Sequence, residues 1–314
     1  MYRQPNTNTM ATQIELIENI NNTIIAGLQA KGLQWFKPFK DSTTNQWNAI
    51  NSQGKAYKGI NQFILSAKAI ENGWVNKWFT FNQISKLDGR VNKGEKSTDV
   101  YLWKVNYAVE IAGKTQYFAR LEDVPSHLQK QAKKAFFLQV FKVFSISQTT
   151  LPIDTPAQPI EVTELEADAH AEAILQTWCK EVTLKHSGQG RAYYSPSGDY
   201  IHMPAKTTEQ WKSNGDYYKV FFHEAIHSTG HKSRLDRLDK MASFGSNEYS
   251  KEELVAELGA LYLEAITGIQ TIVDDVKNSQ AYINGWISKF KSDPKLIMSA
   301  STKAHEAVEL ILSK

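Results

Sequence analysis

His223, Glu224 and His227 stand in the order His-Glu-Ala-Ile-His, preceded by the apolar run Val220-Phe221-Phe222. Residues four apart share one face of a helix, so both imidazoles of this stretch can reach a single metal ion. Glu224 then sits beside the open coordination position. There it can take a proton from a water on the ion and so generate a nucleophile near neutral pH. With eight histidines among 314 residues, an accidental match to this spacing is rare.

Two histidines need a third protein ligand, and a fourth position must stay open for catalysis. A further histidine six residues beyond His227 would serve, but that position is Ser233. His231 lies four residues beyond His227, yet Gly230 should end the helix and turn it away, leaving His231 at the surface or behind a ligand. The only cysteine, Cys179, lies beside Trp178 in an apolar-periodic stretch and reads as a core thiol. Carboxylates remain. Lys251-Glu252-Glu253-Leu254-Val255-Ala256-Glu257 opens the next long helical pattern, and helical geometry lets Glu253 or Glu257 reach the ion. Glu252 reads as solvated surface. Glu257 does not, because Val255, Leu258 and Leu261 surround it. Tyr217, Tyr218 and His202 are further polar groups that could stabilise an oxyanion, although packing explains both tyrosines better.

The elements that must carry these groups follow from periodicity and punctuation. The metal helix should run from near Asp216 to near Gly230. Before it, Glu164–Lys185 reads as a helix with Ala169, Ala173, Ile174 and Trp178 on its apolar side. Arg191–Ser195 and Tyr200–Met203 read as short strands about the Pro196–Asp199 turn, and Tyr200–Met203 could pair with an extended peptide. Leu254–Ile266, Ser279–Lys291 and Pro294–Leu312 read as three more helices. In the first half, Ile14, Ile17, Ile20, Ile24 and Leu28 define a helix over 12–31, and Ile60–Asn72 a second that stops at Gly73. Trp78–Thr80, Val100–Trp103, Tyr107–Ile111, Thr115–Arg120 and Phe137–Phe144 read as strands, with a hairpin at Gly113-Lys114. Pro152, Pro156 and Pro159 mark Ser145–Thr163 as extended chain.

The class is thus α+β in two domains: a basic, aromatic-rich unit over 1–148, a linker over 149–163, and the metal-binding unit over 164–314. The net charge of +3 hides an asymmetry. Residues 1–150 hold 19 Lys/Arg against 10 Asp/Glu, a balance of +9, and the remainder 17 against 23, a balance of −6. The first 150 residues also hold 20 of the 35 aromatic residues. One cysteine excludes an internal disulfide and fits a reducing compartment. Met1–Gln13 has no apolar core of a signal peptide, and no apolar run is long enough for a membrane span, so a cytoplasmic protein without a membrane partner is expected.

Lys55, Tyr57, Lys58, Arg90, Lys93 and Lys96 concentrate cations around Gly59 and Gly94. Trp35, Phe36, Phe39, Trp47, Trp74, Trp78 and Phe79 lie nearby in sequence. Cations that follow phosphates, with rings on which bases stack, suit single-stranded nucleic acid with little sequence preference. The same rings could equally form a core.

The order His-Glu-x-x-His, then Glu-x-x-x-acid on a following helix, resembles the gluzincin arrangement. That resemblance implies Glu253 as the third ligand and Glu257 as the acid that orients a ligand histidine. The implied ion is Zn²⁺, for which Mn²⁺ or another divalent ion could substitute. Wider blocks resemble the ArdC antirestriction family. In the first half they are Pro38, Tyr57–Asn61, Trp78–Gln83, Val91–Glu95 and Val140–Phe144. In the second they are Ala192–Tyr194, Asp199–Ile201, His223–His231, Arg234–Arg237, Glu252–Gly259, Trp286 and Asp293–Leu312. Lys142 departs from the family pattern, and Trp35-Phe36-Lys37-Pro38-Phe39 has phenylalanine where the family pattern has tryptophan. The resemblance implies single-stranded DNA binding by the first domain and a zincin-like metallopeptidase in the second. It also implies protection of incoming plasmid DNA during conjugation, with an unknown protein as the peptidase substrate. The alternative is a DNA-coating protein with a structural or inactive metal site. A His/Glu set disfavours a nuclease, which usually recruits carboxylate-rich Mg²⁺ or Mn²⁺ sites.

Overall fold

A computed structural model describes residues 9–31, 49–153, 164–187, 190–207, 209, 211–238, 247–269 and 276–314. The chain is mixed α and β, as the periodicity required. The first half contains α1 (Thr9–Lys31), β1 (Ile50–Asn51), α2 (Ile60–Asn72), β2 (Lys77–Thr80), α3 (Phe81–Lys86), β3 (Thr98–Ile111), β4 (Lys114–Phe118) and β5 (Lys133–Ser145). Its five strands form one sheet in the order β1-β2-β5-β3-β4. Gly73 stops α2 in the left-handed conformation at φ 64°, where a residue without Cβ meets no strain. Ala112 and Gly113, both at positive φ, make the two-residue turn between β3 and β4. Helix α3 was not expected. Its signal was nevertheless present: Thr80 accepts from the Gln83 N–H while Gln83 accepts from the Thr80 N–H, a capping box.

The second half contains α4 (Glu164–Trp178), β6 (Thr183–Ser187), β7 (Tyr193–Ser195), β8 (Tyr200–Pro204), α5 (Asn214–Thr229), α6 (Asn247–Thr267), α7 (Val276–Ser292) and α8 (Leu296–Leu312). Two expectations are corrected here. The helix expected through Lys185 stops at Trp178, and Thr183–Ser187 is a strand parallel to β8. β-Branched Val182 and Thr183 favour extended backbone, and the pairing partner lies beyond any local window. The segment Tyr200–Met203 cannot offer a free edge either. It is the central strand of β6-β8-β7, hydrogen-bonded on both sides.

The two halves share a core. Ile17, Ile20, Ile24 and Leu28 of α1, and Ile60, Phe63 and Ile64 of α2, pack in one buried cluster with residues of α5, α6 and α8. Polar ties cross the same boundary: Asn21 Nδ2 donates to the Phe290 carbonyl at 2.8 Å, and Tyr262 Oη donates to the Gly59 carbonyl at 3.0 Å. The chain stays packed after β5, with Thr149 and Leu151 buried. Pro156 and Pro159 lie outside the described residues, as do Trp35, Phe36, Pro38, Phe39 and Trp47.

The metal-site residues sit on α5 and α6, and one residue sets how closely these helices approach. A Cβ on Gly259 of α6 would lie 2.6 Å from Ile226 Cδ1 and 2.7 Å from Ile226 Cγ1. Ile226 is fully buried on α5, so its displacement would have to disturb packed neighbours. Alanine would favour helix by about 1 kcal/mol, while overpacking costs about 1–3 kcal/mol. Gly259→Ala should therefore lower the denaturation midpoint and spread the two helices. An unchanged midpoint would show that Ile226 can repack.

Candidate metal centre

Ser213 caps α5, its side chain accepting from the Asp216 N–H at 3.1 Å. From there the helix runs through the core, with Phe221, Phe222, Ala225 and Ile226 fully buried. That burial fixes its rotation and turns His223 and His227 toward α6. Their Nε2 atoms lie 3.1 Å apart. From α6, Glu253 brings Oε2 to 3.5 Å from His223 Nε2 and Oε1 to 3.4 Å from His227 Nε2. Donors about 2.1 Å from a tetrahedral ion are separated by about 3.4 Å, so this triangle has the size that such an ion needs. His223, His227 and Glu253 are the group of metal-competent ligand atoms lying within 4.8 Å of one another among the described residues.

The outward nitrogens are matched as well. His223 Nδ1 faces Glu257 Oε1 at 3.8 Å, and His227 Nδ1 faces Glu252 Oε1 at 3.6 Å. Both Nε2 atoms are thereby left pointing inward. Glu257 thus lies behind a histidine, on the side away from the ion position. Glu252 corrects the sequence reading: it is buried, not solvated. Arg237 holds it through Nη2 at 2.9 Å and Nε at 3.2 Å, and also donates to the Ile226 carbonyl and to Thr229 Oγ1, each at 2.9 Å. Only an arginine eight residues past Thr229, the last residue of the helix, could have signalled this, and its partner is fifteen residues away in sequence.

The electrostatics favour a cation. Burial would lower the pKa of His227, but the carboxylates of Glu252, Glu253 and Glu224 outweigh it and raise the pKa to about 10. Glu253 feels burial in the opposite sense, yet the two imidazoles hold its carboxyl well below the usual carboxylate range. Glu224 is buried beside these groups on the same helix.

Helix α5 ends at Gly230, so His231 leaves the ligand cluster. Its Nδ1 lies 2.7 Å from Ser233 Oγ and 3.7 Å from Asp199 Oδ2. Arg234 braces the same corner, donating to the Ser228 carbonyl, Asp199 and Tyr194 Oη. The remaining polar candidates are committed elsewhere. Tyr217 Oη meets His186 Nε2 at 3.0 Å, and Tyr218 Oη donates to Glu172 at 2.7 Å. His202 lies between Ser187 Oγ and the Arg191 carbonyl, each at 2.8 Å. Cys179 is partly buried against the core, which pushes its thiol up to about 11.

The candidate DNA-binding cations Lys55, Lys58, Arg90, Lys93 and Lys96 are scattered over loops. Lys55, Arg90, Lys93 and Lys96 are exposed, whereas Lys58 Nζ pairs with Glu309 of α8 at 2.6 Å. The Arg90–Lys96 loop is tied to the end of β5: the Thr150 N–H donates to the Arg90 carbonyl, and Gln148 Nε2 donates to the Lys96 carbonyl, each at 2.9 Å. Tyr57 and Trp74 pack against the buried cluster that holds Trp78, and Phe79 is buried in a neighbouring cluster. Trp78 and Phe79 are therefore core rings.

Comparison with known proteins adds to this geometry. Residues 14–144 match the model of the N-terminal domain of the anti-restriction factor ArdC, and residues 169–303 match the model of a zincin-like metallopeptidase. DNA primase TraC of Escherichia coli is 32% identical over 301 residues, covering 94% of this chain but 27% of the primase. The chain therefore spans only about a quarter of that relative. The antirestriction protein ArdC of plasmid R388 superposes in its metal-free crystal structure with a TM-score of 0.72 at 32% identity. Its Mn(II)-bound structure gives 0.70 at 31%. Both alignments cover 95% of this chain and 97% of the other. No helix among the described residues is long and apolar enough to cross a membrane.

Proposed function

From the premise that this chain belongs to the ArdC family of antirestriction proteins, we propose that it binds single-stranded DNA and hydrolyses peptide bonds with a divalent metal. Both activities would serve the protection of plasmid DNA entering a new host. The observation that carries the hydrolytic reading is the convergence of His223, His227 and Glu253 within 4.8 Å. Two imidazoles and one carboxylate suit Zn²⁺, and Mn²⁺ is the ion named for the R388 relative.

His223, His227 and Glu253 would hold the ion, which when bound supplies Lewis acidity that lowers the pKa of a water and polarises a substrate carbonyl. Glu224 takes the proton of the attacking water and returns it to the leaving amine. Glu257 and Glu252 hold the two rings by their outer nitrogens, so neither histidine spends its inner lone pair elsewhere. ArdC of R388 has this fold both metal-free and with Mn(II), which supports an ion that does not serve to hold the fold. The strand-binding reading is supported by the match to the ArdC N-terminal domain, the primase relative and the +9 balance of residues 1–150.

Calorimetric titration of the metal-stripped protein with Zn²⁺ and Mn²⁺ tests the site. One ion per chain is expected. His227→Ala and Glu253→Ala should each weaken binding by more than the about 10–100-fold that loss of an orienting partner costs. Stoichiometric binding retained in both variants would place the ion elsewhere.

A further inference from the structure

If residues 1–150 bind a single strand as proposed above, the bases need exposed rings, and Trp78 and Phe79 are buried. The geometry points to the open face of β3, β4 and β5 as that surface, a stripe of Tyr117, Phe137, Leu102 and Phe141 flanked by Lys104 and Lys133. Strand register puts these side chains together. Lys104 pairs with Phe137 and Leu102 with Gln139, while Val100 pairs with Phe141 one rung further on. Ala108 pairs with both Tyr117 and Lys133. Paired residues share a face and alternate residues return to it, so all six lie on one side of the sheet. The rings agree: Tyr117 and Phe137 meet edge to face with centroids 5.1 Å apart.

Helix α2 covers only one end of this face, where Val100 and Val143 are buried with Leu65 and Ala69. Beyond that end Leu102 is 56% exposed, and Tyr117 and Phe141 are each 42% exposed. From Lys133 to Phe141 the stripe runs about 26 Å along the strand. Apolar exposure alone would suit many partners. Charge narrows the choice to a polyanion with flat rings, because neither Lys104 nor Lys133 has a carboxylate partner among the described residues. The one acid on the face, Glu110, sits at the hairpin end and accepts from Thr115 Oγ1 at 3.0 Å. The exposed loop cations Lys55, Lys93 and Lys96 can attract phosphate, but stacking needs the stripe. Lys58 is paired with Glu309.

Fluorescence anisotropy with a labelled oligothymidine tests the assignment in the full-length protein. Tyr117→Ala combined with Phe141→Ala should weaken binding by at least about 30-fold, the loss expected when two stacked bases lose their rings. Lys104→Ala with Lys133→Ala should weaken it and flatten its salt dependence. Trp103→Ala and Phe136→Ala, on the opposite face, should bind as wild type. Circular dichroism checks that each variant folds. A wild-type measurement avoids substitutions altogether: an oligomer carrying 5-iodouracil is photo-cross-linked and the adduct mapped by mass spectrometry, with Tyr117, Phe137 or Phe141 expected. Adducts confined to the opposite face or the loops, or stripe variants that bind like wild type, would overturn the assignment and make the stripe a protein contact. If the wild-type protein binds no single strand at all, the strand-binding reading itself falls and takes this surface with it.

Discussion

Glu224→Gln should slow peptide hydrolysis by about 10²–10⁴-fold, the range that a positioned acid–base group contributes. Glutamine keeps the length and burial of the side chain but cannot accept a proton at neutral pH. The metal triad is untouched, so calorimetry should still find one ion per chain. Single-strand affinity should also be unchanged. The readout is cleavage of an unstructured protein or a peptide library, resolved by mass spectrometry, with wild type and variant loaded with the same ion. Equal cleavage by the two would remove Glu224 as the base. If neither chain cleaves any substrate while both bind metal and DNA, the alternative of a strand-coating protein with an inactive metal site prevails.

Glu252→Ala is expected to be the most destabilising single substitution near the site. The side chains of Glu252 and Arg237 are only 8% and 6% exposed. Removing one partner of such a pair leaves a buried charge uncompensated, which costs about 3–5 kcal/mol. Arg237 also donates to the Ile226 carbonyl and Thr229 Oγ1 of α5, so the loss should reach His227 and metal binding. Chemical denaturation of the metal-stripped chain measures the effect. The pH dependence has a definite sign. Burial tends to raise the carboxyl of Glu252, but His227 and Arg237 lower it below its ordinary value of 4.5. A carboxyl lowered in the folded state stabilises the protein above its unfolded pKa, and that contribution is lost as pH falls through the folded value. The gap between wild type and variant should therefore be full above about pH 4.5 and close in more acidic solution. A difference below about 1 kcal/mol at neutral pH would mean that Arg237 finds another acceptor.

These two residues show how differently parts of the site could be read. Glu224 was legible because its role depends on a local relation, one residue from His223 and three from His227 on the same helix. Glu252 was misread because local neighbours cannot report a partner brought in by a turn. Arg237 reaches it only after the chain reverses beyond Gly230 and α6 packs across Gly259. The same contrast runs through the first half. Helices α1 and α2 and most strands followed from apolar spacing, and the Gly73 stop and the Gly113 turn followed from backbone freedom. Which aromatic rings were core and which exposed did not follow, because Trp78 and Trp103 look alike in sequence and differ only in the layer packed against them.

What the chain determined by itself was therefore everything set by short-range geometry: the periods of its helices and strands, their caps, and a histidine pair that must share a helix face. Folding in three dimensions decided the rest. It brought Glu253 between the two imidazoles and set Glu257 and Glu252 behind them. It also buried α1 and α2 in the core that carries the metal helices and left the Leu102, Tyr117 and Phe141 side chains of the β3–β5 sheet exposed. Backbone dihedrals and side-chain spacing act over a few residues, whereas burial and long-range pairing depend on which surfaces meet.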